Sequence, residues 1–153
     1  MINEVLPAPS IIDWDGSGAA DASDEWIELT NTGLITVDLG GWALASASDS
    51  SVAYVIPAGT VLEPGKFLVF YRQVTGVALH DDIDGVRLLG PNGSLAHTVV
   101  FGALGADRSY SRDAAGAWHA DWSPSPGAAN VAPSAALRAR KSILTIKDRT
   151  RPK

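Results

Sequence analysis

The densest run of oxygen-bearing side chains lies early in the chain, between Asp13 and Asp24. Asp13, Asp15, Ser17, Asp21 and Asp24 occupy positions 1, 3, 5, 9 and 12 of a twelve-residue segment, with Gly18 at position 6. Alternate positions in a tight turn can converge several oxygens on one point, which is what a hard divalent cation needs, and this is the ligand order of a calcium loop. Two features depart from the pattern. Position 12 is Asp24 rather than Glu, although Glu25 follows it, and helical periodicity is missing on both sides. The spacing therefore leaves two readings: calcium bound by these five residues, or a solvated acidic loop capped by Asx-turns. A second acidic run, His80 to Gly85, reads as a polar hairpin, because Asp84 followed by Gly85 is a turn signal.

Other chemistry is poorly supplied. The chain has no Cys, which removes disulfides, thiolate metal sites and thiol nucleophiles. His80, His97 and His119 are scattered, without metal-ligand spacing. No Ser sits in a nucleophile elbow, and no Gly-rich loop precedes a helix. Glu4 and Glu28 fall in strand-like segments and would face each other if those strands paired. A carboxylate pair alone lacks the nucleophile, base and orienting group that together make an active site. The sequence is expected not to be an enzyme.

The elements that must position these residues are short strands. Among 153 residues, 46% are hydrophobic and five are Trp, enough for one domain with a sizeable core. Apolar runs before Pro133 are brief and bounded by Gly, Pro, Asn or Asp. They predict strands over 2–6, 25–31, 42–47, 52–56, 66–71, 86–89, 95–101 and 109–111, and a last one at Trp118. Alternation puts Ile27 and Leu29 on one face and Trp26 and Glu28 on the other. Turns are predicted at 31–33, 63–65, 84–85 and 91–93, where Gly supplies positive φ and Pro presets the corner. The expected fold class is all-β, a β-sandwich, with Trp26, Trp42 and Trp118 in its core or at its edge.

Several of these segments resemble the bacterial lamin tail domain. Ile2 to Val5 looks like its opening strand. Asp24 to Leu29, followed by Asn31, looks like its most recognisable one, and Asp38 to Leu44 like the next. Ile56 to Thr60 with Leu62 to Gly65 is similar to the turn pair before its long strand. Ser109 to Arg112, Gly116, Trp118 and Ser125 to Asn130 are similar to its closing segment. The ordered set spans about residues 2–130. The resemblance implies an immunoglobulin-like sandwich used as an interaction or surface module, often in exported multidomain proteins.

The chain thus divides into a lamin-tail-like domain over 1–130 and a basic extension over 131–153. The first holds five Lys and Arg against sixteen Asp and Glu, net −11; the second holds seven against one, net +6. An acidic body does not attract nucleic acid, although the basic extension could, and the extension could equally attract the acidic body of another copy. Within it, Pro133 to Lys141 could turn as a short helix, and Ser142 to Ile146 is β-branched and strand-like. Arg138, Arg140, Lys141, Ile143, Leu144, Ile146 and Lys147 are the expected partner-binding residues, in a homo-oligomer or filament built through the tail. The alternative is a binding module of an exported multidomain protein, with a wall polymer, a protein or a nucleic acid as its ligand. No run of apolar residues is long enough to span a membrane. Met1 leads straight into a strand-like segment, and an extracellular or cell-surface location with the export signal absent from this chain is expected.

Overall fold

The computed structural model describes residues 1–49, 51 and 53–134. The partner-binding residues expected in the tail, and its expected helix and strand, lie outside the described residues. In chain order the strands are β1 (Ile2–Leu6), β2 (Trp26–Thr30), β3 (Val37–Asp38), β4 (Ala43–Ser46), β5 (Ala53–Val55), β6 (Val61–Leu62), β7 (Phe67–Tyr71), β8 (Asp84–Leu89), β9 (Leu95–Phe101), β10 (Tyr110–Arg112) and β11 (Trp118–His119). One helical turn, α1 (Arg72–Thr75), follows β7, and a 3-10 turn covers Ala22–Asp24. The fold is an immunoglobulin-like β-sandwich with antiparallel sheets.

One sheet has the order β11-β10-β1-β2-β7, the other β5-β4-β8-β9, and β3 pairs with β6 as a separate ribbon. Period-two alternation explains the core between them. Val5, Ile27 and Leu29 point inward from the first sheet; Leu44, Val86, Leu88, Val99 and Phe101 do so from the second. Tyr54 of β5 meets Phe70 of β7 at a ring-centroid distance of 6.0 Å, joining the two sheets. Trp42 and Trp118 pack half-buried against this core. Trp26 is buried on the opposite face of the first sheet, opposite Leu6 of β1 in register.

Three expectations need correction. Asp84 and Gly85 are not a turn; both lie in β8, with Gly85 opposite Val100 of β9. Gly is required there by close approach: a Cβ would stand 2.5 Å from the Val99 carbonyl oxygen. The strand expected over 109–111 runs one residue later, and α1 adds a helical turn before Pro133. The two-residue strands β3 and β6 lack the length for an alternation pattern to be visible in sequence.

Candidate functional site

The segment 7–25 crosses the outer face of the first sheet. Trp14 sits edge-on to Trp26, with ring centroids 6.3 Å apart. Asp107 pins the start of the segment: its carboxylate accepts from the N–H of Ser10 and Ile11 and from the Trp14 indole at 3.0–3.1 Å. Three of the five expected ligands then converge. One carboxylate oxygen each from Asp13, Asp15 and Asp24 lies within 4.8 Å of the others. Asp24 is fully buried, Asp15 half-buried and Asp13 exposed.

The other two expected ligands behave differently. Ser17 presents its N–H, donating to Asp13 and Asp15 at 3.0 and 2.9 Å, while its hydroxyl turns to the Ala19 carbonyl. Asp21 caps the 3-10 turn by accepting from the Ser23 N–H at 2.7 Å. Asp24 completes that capping box through the Asp21 N–H, and its other oxygen accepts from the Asp15 N–H. The Asp15 carboxyl is held below its usual range: burial, the largest single effect, raises it, and the hydrogen bonds from Ser17, Asp13 and Ser23 together outweigh that. An amide and a hydroxyl donor thus already stabilise the negative charge.

A second constellation sits farther along the same face. Glu4 and Glu28 are opposite each other in the β1–β2 register, and both are fully buried. Each is satisfied by the chain that crosses over them. Glu4 accepts from the hydroxyls of Ser109, Ser111 and Ser125 at 2.5, 2.8 and 3.0 Å, and from the Ser125 N–H. Glu28 accepts from the Asn3 amide at 2.7 Å and from the Gly127 N–H at 2.6 Å. Asn130 then donates to the carbonyls of Asn3 and Arg112, and Trp122 stacks on His119 at 4.3 Å. Segment 122–130 is therefore a clasp that seals the sheet.

Burial pushes the Glu28 carboxyl up to about 7, against its hydrogen bonds from Asn3 and Gly127 and with the charge of Glu4 beside it adding to the rise. Burial also raises Glu4, against its serine donors. The pair expected from strand pairing does form, but a pair closed over by serine hydroxyls and backbone amides has no room for substrate. The clasp residues Ser109, Ser111, Ser125, Gly127 and Asn130 all fall in the segments that resemble the family's closing segment, but sequence reasoning did not connect them with Glu4 and Glu28. A local signal for that link was the Ser–x–Ser period at 109 and 111, which puts two hydroxyls on one strand face.

The His80–Gly85 run is organised by Asp84, which is buried and accepts from the hydroxyls of Ser46 and Ser48 and the N–H of His80 and Gly85. It ties β4 to β8 rather than capping a hairpin. Asp81 and Asp82 remain exposed beside it. At the opposite end of the sandwich, a cleft of about 130 Å³ opens between Met1, Asn31, Val37, Trp42, Leu62 and Leu88. Among the described residues, no helix is long and apolar enough to cross a membrane.

Comparison with known proteins adds one finding. The family model for the lamin tail domain matches residues 1–103, which takes in β1 to β9 and stops before the clasp. No curated protein and no solved structure matches the chain.

Proposed function

The chain belongs to the lamin tail domain family, and from that premise we propose that it is a non-enzymatic assembly module whose C-terminal tail joins one sandwich to the next at a cell surface. Membership itself gives an immunoglobulin-like binding or structural domain. The observation that supports the finer reading is the clasp: the first sheet is sealed by residues up to Asn130. The following 23 residues, with a net charge of +6 against −11 for the rest, are not needed to close that face. Opposite charges of this size speed encounter and fix orientation more than they add affinity. Mass in solution, measured across concentration at low salt, tests the reading. A mass that climbs with concentration supports it, and a constant monomer mass overturns it.

A second reading, a binding module of an exported protein, is favoured by the apolar cleft beside Trp42, which could admit one apolar side chain of a protein or polymer ligand. Calcium is proposed as a ligand of the loop, held by Asp13, Asp15 and Asp24, with Ser17 and Asp21 brought in only if their side chains rotate. Binding would stabilise the fold by about 2.7 kcal/mol at a hundredfold excess over Kd. A melting temperature that rises with calcium, and no longer does so in Asp13→Ala plus Asp15→Ala, would support it. An unchanged melting temperature leaves the acidic-turn reading.

A further inference from the structure

We propose that the tail of one copy adds as an antiparallel strand to the free edge of β9 in another, through Ile143, Leu144 and Ile146. The inference rests on the self-association reading and names the surface that receives the tail.

A sandwich offers unpaired backbone donors and acceptors at its sheet edges, and these pair readily with an added strand. Among the described residues the two large sheets have four edges, β11 and β7 in the first and β5 and β9 in the second, and the strands of the β3–β6 ribbon have only two residues each. Length separates them. The strand β11 has two residues and β5 has three, too few to hold a segment of five residues in register. The strand β9 has seven and β7 has five.

Charge separates the remaining two. The strand β7 is flanked by Lys66 and by Arg72, the latter already paired with Glu25 at 2.6 Å, so the repulsion of a strand flanked by Arg140, Lys141 and Lys147 comes from Lys66. The strand β9 contains no charged residue and no Pro, the usual devices that protect an edge. Its Phe101 end lies opposite Asp84, and Asp81 and Asp82 stand exposed on the loop leading into β8, with the Asp82 carbonyl near Gly102. Its other end runs into the uncharged turn over residues 90–94. An antiparallel tail strand places Arg138, Arg140 and Lys141 at the acidic end. A parallel one would place them at the neutral end.

Apolar chemistry agrees. Leu95 and Val100 of β9 are exposed at 57% and 64%, offering contacts to a strand carrying Ile143, Leu144 and Ile146. The chain also leaves the sandwich nearby. Asn130 is fixed to the carbonyl of Asn3, and the N–H of Ile2 donates to the ring of His97 in β9 at 3.3 Å. From Asn130 to Ile143 the chain can reach about 40 Å, enough to clear its own body and meet a neighbour.

The absence of cysteine makes a clean test. Full-length chains carrying single substitutions are mixed and oxidised: Thr145→Cys with Thr98→Cys, with Ala96→Cys or with Val100→Cys, and Thr145→Cys with Lys66→Cys beside β7. Pairing at β9 brings Cα atoms within the roughly 4.4–6.8 Å that a disulfide tolerates. Mixed dimers with one or more β9 cysteines, and none with Lys66→Cys, are expected. In the unmodified chain, Asp81→Lys plus Asp82→Lys should weaken association about tenfold at low salt. Crosslinking at Lys66→Cys instead, or a disulfide formed only within one chain when Thr145→Cys and Thr98→Cys are combined, overturns the β9 assignment while association itself stands. If the full chain stays monomeric throughout, the self-association reading fails first.

Discussion

The two sheets of this sandwich treat their outer faces in opposite ways. The first sheet hides its outer face beneath its own chain, with Leu6, Trp26, Glu4 and Glu28 all fully buried or nearly so. The second, among the described residues, leaves its outer face in water, with Val55 and Val100 more than half exposed. The covered face carries ionisable groups, and the bare face carries mostly small or β-branched residues around Arg87, whose guanidinium donates to the Ser46 carbonyl. A buried carboxylate must be supplied with donors, so covering such a face fixes the crossing chain in one place. A face without such groups can be left open and remains available to a partner.

Substitutions should break this contrast in a definite order. The largest loss is expected from Trp26→Ala, which empties the space beneath Trp14 and should cost about 3–5 kcal/mol in a denaturant titration. A loss below about 1 kcal/mol would mean that the crossing segment collapses into the gap or was never packed. Next comes Gly85→Ala on the second sheet. There the added Cβ meets a backbone oxygen rather than a flexible side chain, and a cost of about 1–3 kcal/mol is expected.

The clasp should appear as a pH dependence. Glu28 has its folded value raised to about 7 from 4.5. Its contribution to stability is therefore full below pH 4.5 and is lost as pH rises through about 7. His97 acts in the opposite direction below the ordinary histidine value of 6.5, because burial, then the charges of the chain N-terminus and Arg112, lowers it. The wild-type profile mixes the two, so the difference from Glu28→Gln isolates the clasp. Wild type should lose stability relative to Glu28→Gln between pH 5 and 8, by on the order of 1–3 kcal/mol. Parallel profiles would show that Glu28 titrates normally and is not sealed. The smallest effect belongs to the bare face: Val100→Ser should change stability by no more than about 0.5 kcal/mol.

Much of the covered sheet was legible in sequence and much of its cover was not. Alternation over Trp26 to Leu29 assigned both faces of β2 correctly, and the register of β1 with β2 followed from pairing Glu4 with Glu28. What covers them depends on contacts across more than a hundred residues, such as Ser125 on Glu4, which leave no local period. Asp84 shows the converse failure. Asp-Gly has a strong local preference for turns, yet five donors to the Asp84 carboxylate and a close backbone approach hold it in a strand. At the acidic loop, spacing alone found Asp13, Asp15 and Asp24 but could not show that Asp21 is occupied as a helix cap or that Ser17 offers its N–H. The clasp also lies beyond the matched family region, and the fold of this chain continues past residue 103 into β10 and β11.

Sedimentation velocity on the full chain and on a chain ending at Asn130 tests the assembly reading most directly. The account predicts that the full chain associates at low salt and separates as salt rises, while the shortened chain stays folded and monomeric under both conditions. A full chain that is monomeric at high concentration and low salt, or a shortened chain that assembles just as well, would contradict it.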